Sequence, residues 1–239
     1  MTKLLAFNND PKLKKMILAE VINHRKQDQI IKGTYGKENG IWKGCAVGCS
    51  IHSLNLKTGS TFKTDDHSAY EPGFGIPKEL AHLQDALFEE IPLKDAVLWP
   101  ERFFKAIHPG ADLSKVVSKF FIWQFEDEKY GLKNLDEVKN DKEVLGFCEE
   151  VVALYKRKLS GDEPTEKEFY DLYLNVDRAW AGAWARAGAW ARAWAGAGAG
   201  AVAWTRAGAW AGAGAGAGAY EKNILICANK LLDIIKDEI

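Results

Sequence analysis

Apolar side chains recur at the three- and four-residue spacing of an amphipathic helix through most of this chain. Asn9 and Asp10 are capping residues set directly before Pro11, whose missing N–H costs nothing at a helix start; Leu13, Met16, Ile17 and Val21 follow in phase, predicting a helix over 11–30. The same spacing resumes after Pro77 with Leu80, Leu83, Leu87 and Phe88, and predicts further helices over 100–108, 111–125 and 141–158. In the last of these Val144, Leu145, Cys148, Val151, Val152 and Tyr155 line one side. Thr165 and Glu168 have the spacing of a capping box, so 164–176 is predicted to be helical too. From Glu221 the chain ends on an amphipathic helix with Ile224, Leu225, Ala228, Leu231, Leu232 and Ile235.

Between Lys32 and Gly75 that phase is lost. GTYG, KENG, KGCAVGC, KTGS and EPGFG supply glycines and turn residues instead of periodic apolar positions. No hairpin series or strand–helix–strand alternation appears. The pattern predicts a mainly α fold with a long Gly-rich irregular excursion and C-terminal Ala-rich packed helices. As domains it predicts a helical unit over 1–176, loop-rich over 32–76, and a 177–239 layer packed on it.

Arg178–Ala219 is a two-residue repeat, with Ala at every odd position from 179 except Thr205 and Trp, Arg or Gly at every even one except Val202. A GCN-NGG hexanucleotide generates that alternation, so slippage in the gene is its simplest origin. As a strand, the segment would put Trp and Arg on one face. As a helix, stepping about 100° per residue, Trp180, Trp184, Trp190 and Trp194 fall within roughly 120° while Arg178, Arg186 and Arg192 lie opposite. Helices over 178–195 and 203–219 are therefore predicted, with Gly196, Gly198 and Gly200 near the break; the repeat has ten glycines, each costing about 1 kcal/mol relative to Ala within a helix. The Trp stripe is either core or, with the arginines, a groove that stacks bases and pairs phosphates.

Composition narrows the functional classes. The 239 residues carry a net charge of −1 with 27% charged side chains, so there is no overall basic field for duplex nucleic acid. The N-terminal apolar run is too short for a signal peptide or membrane span, and four cysteines without an export signal point to reduced thiols, hence to a cytoplasmic protein.

WKGCAVGCSIH holds the densest chemistry. A helix from Cys45 to Leu56 would put Cys45 and Cys49 on one face, His52 a turn further, and an anion at its N-terminus beside Lys43; Lys32 and Lys37 would add charge. The set assigned to an anionic small ligand is Lys32, Lys37, Lys43, His52, His67, Arg178, Trp180, Trp184, Arg186 and Arg192. The alternatives are zinc on Cys45, Cys49, His52 and His67, a thiol nucleophile at either cysteine, and small buried cysteines packing a tight turn. His24 with Asp28 reads as a surface pair; His82, Asp85 and Glu89 could meet along one helix, where a solvated face is favoured over a metal site.

WKGCAVGCSIH, HSAYEPGFGIPKELAHLQDALFE and WPERFFKAIHPGADLSKV, followed by an Ala-rich region and a terminal KLLDII, together resemble a family of uncharacterised bacteriophage and prophage proteins that end in Ala-rich repeats. The resemblance covers 30–239 and implies a phage-related setting without transferable catalytic residues. It leads to the expectation of a non-catalytic binding protein that sequesters a nucleotide-like immune signal, without cofactor, duplex nucleic acid or membrane, and with room for homo-oligomers. A zinc- or thiol-dependent hydrolase and a helical protein-interaction module are the rivals.

Overall fold

The computed structural model describes residues 3–38, 42–172 and 217–238. It is mainly helical, as the periodicity predicts. Contacts divide the chain into two compact units, Met1–Val116 with Glu221–Ile239, and Val117–Tyr220. The terminal helix from Glu221 onward belongs with the N-terminal unit. The repeat helices over 178–195 and 203–219, with Arg178, Trp180, Trp184, Arg186 and Arg192, lie outside the described residues apart from the backbone from Ala217 onward.

In the first unit α1 (Pro11–Lys26) starts where the sequence sets it: the Asp10 carboxylate accepts from Lys12 N at 2.8 Å, with Pro11 in the first turn. It stops at Lys26, four residues early, because Asp28 takes a left-handed conformation (φ 52°) and the chain turns into the segment that forms the site. Within the Gly-rich excursion stand a two-residue antiparallel ribbon, β1 (Lys37–Glu38) with β2 (Trp42–Lys43), then α2 (Ala46–Thr58), a 3-10 turn at His67–Ala69 and α3 (Tyr70–Phe74). This stretch is therefore more helical than its glycine content suggests. Next come α4 (Lys78–Glu90), α5 (Leu93–Ala96) and α6 (Trp99–Ala106); α1 packs on α2 and α6, and α4 on α2 and α6.

The core of this unit is aromatic. Phe7, Tyr70, Phe74, Trp99, Phe103 and Phe104 are fully buried, with Tyr70 edge-on to Phe74 at 4.9 Å and Phe74 against Phe104 at 5.6 Å. Rings buried to this extent contribute about 1.5–3 kcal/mol each. Phe7 reaches the cluster from three successive left-handed residues, Phe7, Asn8 and Asn9 (φ 54°, 51° and 56°). That conformation costs roughly 1–2 kcal/mol per residue. Burial of the Phe7 ring and the paired bonds Ala6 N to Ala111 O and Gly110 N to Ala6 O offset it. The terminal helix, α10 (Ala217–Lys236), buries Ile224, Ala228, Leu231, Leu232 and Ile235 and is tied to α6 by the Arg102 guanidinium donating to Asn229.

The second unit holds α7 (Val116–Glu126), α8 (Asp136–Lys139), α9 (Lys142–Ser160) and a helical segment over 166–172. Asp141 caps α9 through Glu143 N and Val144 N, Gly161 ends it at φ 91°, and Phe121 stacks on Tyr155 at 4.8 Å. Thr165 and Glu168 form the reciprocal capping box. No helix among the described residues is long and apolar enough to cross a membrane.

Candidate functional site

The site is built where the loop after α1 is laid across the start of α2. Ile31 N donates to Gly44 O and Gly44 N to Gln29 O, both at 2.9 Å, and Cys45 N donates to Thr34 O at 2.6 Å. A β-carbon on Gly48 would sit 2.0 Å from Tyr35 O, so only glycine lets the loop lie this close to the first turn of α2. The loop is then tied to the end of α4. The Lys32 ammonium donates to Glu89 O at 2.8 Å and Ile91 O at 2.5 Å, filling the carbonyls that a helix C-terminus leaves free. Gly33 N donates to both Glu89 carboxylate oxygens, at 3.1 and 3.0 Å.

This clamp brings three ligand-type atoms together. The Cys45 thiol, an Asp85 carboxylate oxygen and a Glu89 carboxylate oxygen all lie within 4.8 Å of one another. Cys45 is the N-cap of α2, its sulfur accepting from Gly48 N at 3.4 Å, and is 1% exposed. Asp85 and Glu89 are one turn apart on α4 and share a face. His67 is delivered by the 3-10 turn that Asp66 caps, and its Nε2 meets Asp85 Oδ2 at 3.0 Å. The remaining oxygen, Oδ1 of Asp85, is buried and makes no hydrogen bond of sound geometry to a described residue, although the Tyr35 phenol and the Cys45 thiol both stand beside the carboxylate. His82 stacks on His67 at 3.9 Å, and Tyr35 meets His67 edge-on at 5.7 Å.

Burial dominates the electrostatics of this cluster and favours the protonated forms of its acids. Burial, with Asp85 adding to it, pushes the Cys45 thiol far above the ordinary thiol range, although the α2 amides of Gly48 and Val47 pull the other way. The Tyr35 phenol is pushed up by burial and then by Asp85, and Glu89 is pushed up by burial. Partial burial pulls Lys32 down, but its ammonium is spent on main-chain carbonyls. A buried, protonated Cys45 is a poor nucleophile without a metal.

The residues assigned from sequence therefore separate. Cys49, expected to work beside Cys45, points its thiol at Gly44 O at 3.3 Å and is pushed up to about 12 by burial. His52 stacks flat on Trp42 at 3.9 Å, so Cys45, Cys49, His52 and His67 do not form a ligand cluster among the described residues. Lys43 is exposed on β2, opposite Lys37 in the ribbon register.

Two readings are corrected. His24 does not pair with Asp28 at the surface: it is 5% exposed, with Nδ1 2.5 Å from Gln29 Oε1 and Nε2 3.0 Å from Ser53 Oγ. Asp85 is not on a solvated face either, at 7% exposure under the loop and the 3-10 turn. Sequence reasoning saw Asp85 and Glu89 together but passed over Tyr35. The available signal was three potential ligands, at 82, 85 and 89, repeating at helical spacing opposite the apolar stripe. No protein-family model, curated protein or solved structure matches the chain, so the functional argument stands on the chemistry of Cys45, His67, Asp85 and Glu89.

Proposed function

We propose that this protein binds a divalent cation through Cys45, Asp85 and Glu89, and that its chemistry is centred on that cation instead of on a thiol nucleophile. One observation carries the reading. A carboxylate at 7% exposure has one oxygen held by His67 and the other without a hydrogen bond of sound geometry, with the Tyr35 phenol, the Cys45 thiol and a second carboxylate beside it. Burying two carboxylates beside a thiol is costly, and a bound cation would offset that cost while neutralising the group around it. The test is elemental analysis of protein loaded with excess ZnCl2 or MnCl2 and then desalted. One bound equivalent is expected, lost in both Cys45→Ser and Asp85→Asn; wild-type protein emerging metal-free with every divalent ion tried overturns the proposal.

A second reading, sequestration of a nucleotide-like signal in a phage-related setting, has one observation in its favour. The ribbon register sets two basic positions, Lys37 and Lys43, opposite each other in the segment that follows Tyr35. Thermal shift against cyclic oligonucleotides and ADP-ribose derivatives checks it, with a shift lost in Lys43→Glu as the supporting result and no shift at millimolar ligand as the opposing one.

A further inference from the structure

We infer that the centre takes a thiophilic, tetrahedral cation of the zinc class, that it holds the cation with three protein donors and one exchangeable position, and that His67 is the positioning residue that makes this geometry. The inference rests on the proposal that Cys45, Asp85 and Glu89 bind a cation.

His67 Nε2 occupies Asp85 Oδ2, and Oδ1 makes no hydrogen bond of sound geometry, only the Tyr35 phenol and the Cys45 thiol standing beside the carboxylate, so Asp85 presents one oxygen and not a chelating pair. Both Glu89 oxygens accept from Gly33 N, which fixes that carboxylate from the loop side. Cys45 adds one sulfur. Calcium takes six to eight oxygens, commonly with a chelating carboxylate, and magnesium demands an octahedron of oxygens. Two single carboxylate oxygens and a thiolate satisfy neither. They suit a borderline ion that accepts sulfur and is content with four donors. A tetrahedral shell with bonds of about 2.0–2.3 Å sets its donors roughly 3.5 Å apart. The three donor atoms, now within 4.8 Å of one another, have about an ångström to close.

Three protein donors leave the fourth position to an exchangeable ligand, the pattern of zinc sites that act as Lewis acids and not of closed structural ones. The ligand class that fits is one offering an anionic or carbonyl oxygen. Tyr35, at 39% exposure and interacting with Asp85, is a partly exposed side chain beside the cluster. His67 does not touch the cation in this scheme: it holds Asp85, as outer partners of metal ligands do, with Tyr35 edge-on and His82 stacked on its faces.

The experiment titrates the full-length protein with CoCl2 and follows its absorption, with competition by ZnCl2, MgCl2 and CaCl2. Expected are a thiolate-to-cobalt charge-transfer band that Cys45→Ser abolishes, intense visible bands of four-coordinate cobalt, displacement by zinc, and no displacement by a large excess of magnesium or calcium. Sodium azide should shift the visible bands by occupying the exchangeable position. His67→Gln should weaken cobalt binding by about 10–100-fold while keeping the charge-transfer band, and its circular dichroism and melting curve show whether it is folded. Preference for magnesium, calcium or manganese overturns the zinc-class assignment while leaving cation binding intact; no binding by any ion overturns both. Weak six-coordinate cobalt bands, or no response to azide, overturn the three-donor geometry. Unchanged affinity in folded His67→Gln removes His67 from its role.

Discussion

Two buried polar groups flank α2, and they differ in completeness. On one side His24, Gln29 and Ser53 form a closed circuit. The Gln29 amide donates to Gln27 Oε1 at 2.8 Å, which turns its oxygen to His24 Nδ1–H, and the Ser53 hydroxyl lies 3.0 Å from Nε2 and 2.8 Å from Cys49 O. Each atom has a partner in either protonation state of the ring, since the Ser53 hydroxyl can donate to Nε2 or to the carbonyl. On the other side Cys45, His67, Asp85 and Glu89 form a circuit in which Asp85 Oδ1 makes no hydrogen bond of sound geometry, although the Tyr35 phenol and the Cys45 thiol stand beside the carboxylate. A satisfied buried network specifies packing, whereas an unsatisfied one is retained against a cost and so points to use. The comparison predicts opposite responses to mutation: damage to the first group lowers stability, and damage to the second removes ligand binding with little loss of fold.

The largest effect should come from the backbone that separates the two. Gly48→Ala forces a β-carbon to 2.0 Å from Tyr35 O, so either α2 or the loop must move. A loss of about 3 kcal/mol or more is expected in urea unfolding, together with loss of metal binding, because Lys32, Gly33 and Tyr35 leave with the loop. His24→Ala should come next, at about 2–4 kcal/mol, since it opens a cavity and strands Gln29 and Ser53. Its metal binding should survive in the folded fraction. Loss of binding in folded His24→Ala would mean that the two groups are one. Saturation of wild-type protein with ZnCl2 at a hundredfold excess over its dissociation constant should stabilise it by about 2.7 kcal/mol, read as a rise in melting temperature that Cys45→Ser abolishes.

The difference between the two groups was only partly legible in the sequence. Helices set by local rules appear where expected: Asp10–Pro11 starts α1, Asp141 starts α9, and Thr165 with Glu168 closes its capping box. What failed depended on a second layer. The 82, 85 and 89 face of α4 reads as solvated because it lies opposite Leu80, Leu83 and Leu87; it is covered by a loop from residues 32–35 and a turn at 67–69, and nothing local to α4 announces them. His24 was misread for the same reason, its partner Ser53 being 29 residues away. The cysteines show the limit of spacing as evidence. Cys45 and Cys49 are one helical turn apart, yet Cys45, in the cap, faces α4 while Cys49, in the first turn, donates back to Gly44 O.

Acid should weaken the fold through buried imidazoles on both sides of α2. Burial lowers His24, and burial together with the His67 charge lowers His82 to about 4. With folded values depressed, the unfolded chain takes up protons first, so stability present above pH about 6.5 is lost as pH falls toward the folded values. Between pH 7 and 5.5 a loss of about 1 kcal/mol is expected, after allowing for the partial exposure of His82. Glu89, raised by burial, acts in the opposite sense. Urea unfolding of metal-free protein at the two pH values measures the loss; His82→Gln should reduce it, and an unchanged slope in that variant would assign the effect elsewhere.

The smallest predicted effect separates the two groups most sharply. Asp85→Asn keeps the shape of the side chain, removes the buried charge, and gives the position an amide that can donate as well as accept. The charge is paired with His67 and has the Tyr35 phenol and the protonated Cys45 thiol beside it, while the Glu89 carboxylate opposes it, so its loss should change metal-free stability by less than about 1 kcal/mol, in either direction. A buried charge whose partners were complete would behave differently: breaking it costs roughly 3–5 kcal/mol. Parallel urea curves for wild type and Asp85→Asn, without metal and then with ZnCl2, therefore read both halves of the comparison. Near-coincident curves without metal, separating when zinc is added because only the wild type is stabilised, place Asp85 in a ligand site. A large loss without metal would instead make the Asp85 carboxylate part of the packing, like His24, and the difference between the two sides of α2 would disappear.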